Sequence, residues 1–389
     1  MTAQYRIGVV TTSRADFGIY RSVLKALQAA PDLEFGLVVT GMHLSPEFGM
    51  TVTEVEASGF PIWAKFEALL ASDSPEGIAK SMGTTTLAAA QAFADLEIDL
   101  LVVLGDRFEM HAVALAALPF RMPVAHIHGG EETEGAIDNA LRHSMTKLSH
   151  LHFCATELAA ARISAMGEDP KYITVSGAPA LDSVGSVTRL DRAQLAEKFG
   201  LPKSDEFALI TFHPETLDPV GTMQELDNLC SVLAETDLHL VFTAANADTS
   251  GRAVNAKLSA FIDHHKDRAQ LVKHMGAVGY FSAMDAAAIM VGNSSSGILE
   301  AASFQLPVVN IGDRQAGRER SSNVVDCTGD TTAIRSAISS ARSSEFREGL
   351  ASAANIYGDG NAAPRIVDGM RAFLKDRAPV RKRFHGIST

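Results

Sequence analysis

RIGVVTTSRADFGIYRSVLKALQAAP, residues 6–31, is the stretch from which the architecture is inferred. Its apolar start, residues 6–12, predicts a buried strand, and a polar turn follows. A helix fits next, because five apolar side chains recur at helical spacing on one face: Phe17, Tyr20, Val23, Leu24 and Leu27. Pro31 ends this helix. The chain therefore opens with a strand, a turn and a helix.

Short apolar runs recur between helical patterns through the rest of the chain. In the first half they lie at 34–40, 99–104, 123–128, 151–155 and 172–176. In the second half they lie at 207–212, 238–243, 270–273, 287–291 and 307–311. This alternation predicts an α/β protein with two doubly wound, Rossmann-like domains. The small-residue passage 177–187 predicts a boundary near residue 185, with domains at 1–185 and 186–364.

Length, composition and charge limit the possible partners. The chain has 389 residues, 46% of them hydrophobic, which suits two domains. A net charge of −12, spread along the chain, argues against nucleic acid as a partner. Cys154, Cys230 and Cys327 are too far apart to suggest a disulfide framework or a cysteine metal site. The first apolar run is too short for a membrane span or a signal peptide, so we expect a cytoplasmic protein with no membrane partner.

Polar clusters directly follow the predicted strands of the first domain. Ligands of such sheets bind beyond the carboxyl ends of the strands, and two facing domains would bind them in the cleft between. Arg14, at the start of the first helix, could hold a diphosphate; the alternative is capping by Ser13 or Asp16 with Arg14 in solvent. Asp106 follows a strand and Gly105, where partial burial would make it a usable base; the alternative is a capping aspartate.

HIHGGEETEG, residues 126–135, is the densest polar segment. Strand alternation predicts that His126 and His128 share one face. A metal site is disfavoured because a third ligand has no diagnostic spacing, and a buried, hydrogen-bonded histidine explains the pattern as well. The helix after it is expected to present Ile137, Leu141 and Leu148 to a core. Asp138 and Arg142, taken alone, look like an exposed pair one turn apart.

The second domain repeats this arrangement. FHPET (212–216) follows its first strand, NAD (246–248) its second, and GNSSSGILE (292–300) its fourth. Serines at a helix start can bind phosphate oxygens, and Glu300, one turn on, can accept hydrogen bonds from ribose hydroxyls. GDRQAGRE (312–319) offers arginines to a diphosphate.

Taken together, eight segments resemble the hydrolysing UDP-N-acetylglucosamine 2-epimerase family of sialic acid and legionaminic acid synthesis. They follow in order with compatible spacing: TSRADFG (12–18), TGMHLS (40–45), GDR (105–107), HIHGGE (126–131), ID (137–138) with RH (142–143), FHPET (212–216), GNSSSG (292–297) and RQAGR (314–318). The resemblance implies the GT-B architecture, with two Rossmann-like domains across a cleft and the C-terminal helix, about 365–389, packed back onto the first domain.

The resemblance also implies an activity. A UDP-2-acetamido sugar, either UDP-N-acetylglucosamine or its 2,4-diacetamido-2,4,6-trideoxy analogue, would give UDP and the free manno sugar through elimination to a glycal and hydration. No cofactor and no metal are implied, and relatives suggest a homodimer. The alternatives are a non-hydrolysing epimerase, a GT-B glycosyltransferase and, more distantly, a sugar-nucleotide sensor without turnover.

Residue roles follow from the same resemblance. Asp106 and Asp138 match the catalytic carboxylates, expected to act on the two faces of the sugar. Some relatives carry a catalytic glutamate where this chain has His128, so that role falls to Glu131 or to His128 itself. Substrate and nucleotide binding is assigned to Arg14, His43, Arg142, His213, Asn246, Ser294, Ser295, Ser296, Glu300, Arg314 and Arg318.

Overall fold

The computed structural model describes residues 5–72, 74–132, 137–214, 219–243, 249–376 and 381–386. The chain divides into two compact units: Met1–Ser183 with Tyr357–Thr389, and Val184–Ile356. Each unit holds one sheet, whose described strand pairs are all parallel and are covered by helices. The predicted pair of doubly wound α/β domains is confirmed.

Unit 1 is built on a seven-stranded sheet in the order β3-β2-β1-β4-β5-β6-β7. The strands are β1 (Tyr5–Thr11), β2 (Leu33–Val39), β3 (Ile62–Lys65), β4 (Leu100–Leu104), β5 (Val124–Ile127), β6 (Leu151–Cys154) and β7 (Ile173–Val175). The first helices are α1 (Arg14–Gln28), α2 (Val52–Ala57), α3 (Pro75–Asp95), α4 (Phe108–Ala117), α5 (Asp138–Leu148) and α6 (Glu157–Ala165). A short helix, α7 (Asp182–Ser186), crosses the division between the units.

Unit 2 is built on a six-stranded sheet in the order β10-β9-β8-β11-β12-β13. The strands are β8 (Phe207–Thr211), β9 (His239–Thr243), β10 (Ala269–Val272), β11 (Ile289–Gly292), β12 (Val308–Ile311) and β13 (Val324–Cys327). The helices are α8 (Arg192–Phe199), α9 (Pro219–Ala234), α10 (Thr249–His264), α11 (Gly276–Ala286), α12 (Ser295–Leu299), α13 (Thr331–Ala341) and α14 (Ser344–Leu350).

Two strands, β3 and β13, were not predicted. Each is the outermost strand of its sheet, and none of its residues is fully buried. An edge strand need not carry the continuous apolar run of a strand covered on both faces, so its signal is weaker, although the other two edge strands, β7 and β10, were predicted.

The last helix of the chain, α15 (Ala362–Lys375), belongs to unit 1. Its buried face joins the unit 1 core through Ile366, Met370 and Phe373. The Asp182 carboxylate accepts hydrogen bonds from the first two backbone N–H groups of α15, both at 2.7 Å. Since these donors have no partner inside the helix, Asp182 fixes where α15 starts. Within the described ranges, none of the helices is long and apolar enough to cross a membrane.

Candidate active site

Asp106 and Arg142 form an ion pair beyond the end of β4. Gly105, in the left-handed region with φ +73°, turns the chain there, and Asp106 follows it. Arg142, from α5, donates from Nη2 to Asp106 Oδ2. The Arg142 side chain is only 7% exposed, whereas Asp106 is 25% exposed. Arg142 therefore holds a carboxylate that solvent or a ligand can still reach.

This pair corrects the predicted orientation of α5. Ile137, expected in the core, is 61% exposed, and the buried residues of the helix are Arg142, Met145 and Thr146. The expected exposed pair of Asp138 and Arg142 is likewise wrong, because Arg142 is buried against Asp106. Leu148 packs against the unit 1 core as predicted, so apolar periodicity was wrong only for the part of the helix whose inner side carries polar residues.

Asp138 is the first residue of α5 and is half-buried. Desolvation raises the pKa of this carboxyl group, and the positive charge of Arg107 opposes that shift. Arg107 is fixed by Glu109, a fully buried residue that sequence analysis did not select, whose carboxylate accepts from Arg107 Nη2 at 2.7 Å. A carboxyl group with a raised pKa is suited to deliver a proton near neutral pH.

The two histidines of the HIHGGE segment occupy different environments. His126, on β5, is fully buried; its Nε2 lies 2.8 Å from Gly105 O and its Nδ1 3.3 Å from Thr146 Oγ1. Burial lowers the pKa of His126 to about 3, so its ring is neutral and structural. The prediction of a shared strand face is wrong, because β5 ends at Ile127 and His128 has φ +63°. His128 Nδ1 instead pairs with Glu131 Oε1 at 2.5 Å.

The first turn of unit 1 is a capped helix start. Ser13 and Asp16 form a capping box at α1. The Arg14 side chain is 74% exposed and pairs with Glu54 at 3.2 Å. His43 is buried, with Nε2 2.9 Å from Thr11 Oγ1 and Nδ1 2.8 Å from Thr51 Oγ1. Both ring nitrogens of His43 thus have protein partners, so His43 positions this turn, and ligand binding by Arg14 stays a prediction.

Unit 2 contains a cavity of about 630 Å³ at the carboxyl ends of its strands. Four of the predicted binding residues line it: His213, Ser294, Ser296 and Glu300. Several other lining residues were not predicted; they come from neighbouring strand ends and from α11: Thr211, Thr243, Lys273, His274 and Tyr280. Since these residues belong to no polar cluster in the sequence, only the fold could bring them together.

The turn after β11 organises this cavity. Gly292 has φ +140°, and a Cβ added there would lie 2.0 Å from Thr211 O, so only glycine fits. The next residue, Asn293, is fully buried. Its side chain accepts from His213 N at 2.7 Å and donates to His213 O at 2.8 Å. Asn293 therefore fixes the backbone of a predicted binding residue.

The same asparagine also fixes the following arginine-bearing loop. Its carbonyl oxygen accepts from Arg314 Nη1 and from Gln315 Nε2, each at 3.0 Å. Through this one residue the loops after three adjacent strands, β8, β11 and β12, are joined. Asn293 was not selected from the sequence, although it lies inside the quoted GNSSSG segment.

Hydroxyl groups and one carboxyl group face the unit 2 cavity. Ser294 caps α12 by accepting from Ser296 N. Desolvation raises the pKa of the Tyr280 hydroxyl, and the neighbouring Thr211, Ser296 and Ser294 hydroxyls oppose that shift. Desolvation raises the pKa of Glu300 to about 7. This group is therefore poised to change its charge near neutral pH.

Three described residues of unit 2 that were predicted to bind do not line this cavity: Ser295, Arg314 and Arg318. Ser295 is the first residue of α12 and does not line the cavity. Arg318 is close enough to Glu300 to oppose its pKa shift. Asn246 lies outside the described residues. Among the residues that are described, no group of three His, Cys, Asp or Glu side chains could hold a metal ion.

Comparison with known proteins identifies the family. The family model described as UDP-N-acetylglucosamine 2-epimerase matches residues 25–371. The GDP/UDP-N,N'-diacetylbacillosamine 2-epimerase (hydrolysing) of Campylobacter jejuni is 38% identical over 88% of this chain and 89% of that protein. The UDP-N,N'-diacetylbacillosamine 2-epimerase (hydrolysing) of Legionella pneumophila is 35% identical over 92% and 94%.

Solved structures agree on the fold. The S. aureus MnaA–UDP structure aligns with a TM-score of 0.78 at 20% identity, covering 96% of this chain and 97% of that one. At this identity the likeness supports the GT-B-like fold alone. On the family match and the two relatives, the chain belongs to the UDP-N-acetylglucosamine 2-epimerase family.

Proposed function

We propose that the protein is a hydrolysing 2-epimerase that converts a UDP-2-acetamido sugar into UDP and the free manno sugar. The observation that carries this proposal is the identity of 38% and 35%, over about nine-tenths of each chain, to two hydrolysing N,N'-diacetylbacillosamine 2-epimerases. The same relatives favour UDP-2,4-diacetamido-2,4,6-trideoxy-glucose over UDP-N-acetylglucosamine as the substrate.

The unit 2 cavity is the proposed nucleotide site. Ser294, Ser296 and the Tyr280 hydroxyl offer donors to phosphate oxygens. The Glu300 carboxylate is the proposed acceptor for the ribose hydroxyls. Arg314 would add positive charge for the diphosphate, as would Arg14 and Arg318 at the positions that the family resemblance assigns to them.

Asp106 is proposed to stabilise positive charge on the sugar. Because the C2 proton of the sugar is hardly acidic, C1–O cleavage leads, with an oxocarbenium-like transition state. Arg142 favours the ionised form of its partner carboxylate, so Asp106 is better suited to face a developing cation than to accept a proton. The bonding electron pair leaves with UDP, and loss of the C2 proton gives the glycal.

Hydration of the glycal completes the proposed reaction. Water adds at C1, and C2 receives a proton on the face opposite to the one that lost it, which gives the manno sugar. Asp138 is the proposed donor of that proton, because burial favours its protonated form. Each turnover therefore consumes one water and releases UDP and the free sugar.

Product analysis tests this proposal. The protein is incubated with each of the two UDP-sugars without an acceptor, and products are resolved by anion exchange and phosphorus NMR. We expect equal amounts of UDP and free manno sugar, formed faster from the diacetamido substrate. A non-hydrolysing epimerase would return a UDP-manno sugar, a glycosyltransferase would need an acceptor, and a sensor would bind without product.

Two further expectations remain from the sequence, one from its first apolar run and one from the family resemblance. We propose that the protein acts in the cytoplasm, where sugar nucleotides are made, and that it is a homodimer. Sedimentation or light scattering of the purified protein would measure its mass against the 41.3 kDa of one chain.

A further inference from the structure

His128 and Glu131 form a close pair in the loop after β5. Nδ1 of His128 lies 2.5 Å from Oε1 of Glu131, and both side chains are mostly buried, with 14% and 18% exposed. A carboxylate accepts but does not donate when ionised, so the histidine proton at this contact sits on Nδ1. The lone pair of the neutral ring is then on Nε2.

Nε2 of His128 has no hydrogen-bond partner among the residues that the structure describes. In the part of the chain that the structure describes, the ring makes no hydrogen bond other than the one to Glu131, and Nε2 is not among the buried atoms that lack a partner. This differs from His126, whose two ring nitrogens are both hydrogen-bonded inside the protein. Of the two histidines, His128 is the one that can exchange a proton with a bound molecule.

The loop holds His128 in a conformation that histidine seldom adopts. Its φ is +63°, and the two glycines that follow it are closely packed against neighbouring residues. A Cβ on Gly129 would lie 2.9 Å from His126 Nδ1, and one on Gly130 would lie 2.3 Å from Ala159 O. Strain of this kind persists where the surroundings impose it, and it is common at functional sites.

We propose that His128 and Glu131 act as a dyad in which Nε2 of His128 removes the C2 proton of the sugar and Glu131 orients the ring. This inference rests on the proposed function and names the group that it leaves open. The C2–H electron pair forms the C1=C2 bond, the C1–O pair departs with UDP, and the proton moves to Nε2. Glu131 keeps its charge and is a positioning residue.

The dyad gives each of the proposed catalytic groups a separate role. In the chair of an α-linked gluco sugar the C1–O and C2–H bonds are both axial and antiperiplanar, so the base acts on the face opposite to UDP. The acid that later protonates C2 acts on the UDP face. With Asp106 ion-paired to Arg142, His128 is the base and Asp138 the acid.

Separating the two half-reactions tests the proposal. Elimination is measured as UDP release from the UDP-sugar, and hydration as consumption of the synthetic 2-acetamidoglycal in the presence of UDP. For His128→Asn we expect UDP release to fall at least about 100-fold, with hydration within about twofold of wild type. Asp138→Asn should do the reverse, releasing UDP while the glycal accumulates.

A purely structural role for His128 predicts a different result. The His128→Asn variant would then slow both half-reactions alike, or slow neither, and either outcome overturns the proposal. If the wild-type protein itself forms no UDP and manno sugar, the proposed function fails instead, so the two failures are distinguishable.

A second variant keeps the test decisive if His128→Asn folds poorly. His128→Gly suits φ +63° and leaves space for free imidazole. We expect added imidazole to restore UDP release by at least about tenfold, and absence of rescue in a folded protein contradicts a base at Nε2.

For the positioning role, Glu131→Gln should lower kcat for UDP release roughly tenfold with KM little changed. The matched control is Glu132→Gln, whose carboxylate pairs with Arg162 at 3.2 Å and should leave both half-reactions unchanged.

Discussion

Replacing Asn293 with alanine should release the loop after β8 from the turn after β11, while the backbone carbonyl of residue 293 can still accept from Arg314 and Gln315. The variant loses two hydrogen bonds to the His213 backbone, of 2.7 and 2.8 Å, at a fully buried position. Each such bond contributes about 0.5–1.5 kcal/mol, and the His213 N–H and C=O are left without these partners. We therefore expect the free energy of unfolding to fall by about 2–4 kcal/mol.

The same change should weaken UDP binding, because His213 loses its fixed position. A tenfold rise in Kd, about 1.4 kcal/mol, is expected by isothermal titration calorimetry at a temperature where the variant is folded. The matched control is Asn310→Ala on the adjacent strand β12, which removes one 2.7 Å bond to Asp326. It should destabilise the protein without changing the Kd. Equal UDP affinity in the Asn293 variant and wild type would refute the role of Asn293.

Three further predictions concern a proposed catalytic carboxylate, pH and a glycine. Asp106→Asn should leave UDP binding largely intact and lower UDP release from the UDP-sugar at least about 100-fold; near-normal turnover would reject its role. Burial raises the pKa of Glu300 from 4.5 to about 7, so between these pH values the folded protein keeps a proton that the unfolded chain loses. The free energy of unfolding should therefore fall as the pH rises from 4.5 to about 7. Thermal melts of Glu300→Gln should lack this fall; an unchanged slope would assign it to other groups. Gly130 and Gly49 both have a positive φ, of +77° and +82°, but a Cβ on Gly130 would lie 2.3 Å from Ala159 O whereas one on Gly49 would meet open space. Gly130→Ala should therefore lower the Tm more than Gly49→Ala. Equal losses of Tm would contradict the close packing around Gly130.

The central architecture could be predicted because buried parallel strands leave a simple signal. Residues 6–31 were expected to form a strand and an amphipathic helix, and β1 and α1 occupy this stretch with Phe17 and Tyr20 buried. The edge strands β3 and β13 were missed because half-buried strands give a weaker signal, although the edge strands β7 and β10 were predicted.

The site was harder to predict than the fold, because its contacts join residues far apart in sequence. The ion pair of Asp106 with Arg142 spans 36 residues, and the contact of His213 with Asn293 spans 80. Local apolar periodicity predicted a buried Ile137 and an exposed Arg142, whereas Ile137 is exposed and Arg142 is buried. The positive φ of His128 also has no sequence signal beyond the two glycines that follow it.

The route through a glycal is tested most directly by proton NMR of the sugar released in deuterated water. If elimination and readdition occur, the manno sugar formed from UDP-2,4-diacetamido-2,4,6-trideoxy-glucose will carry deuterium at C2, with one free UDP per sugar. A released sugar that keeps its original C2 hydrogen, or inversion at C2 without liberation of UDP, would contradict it.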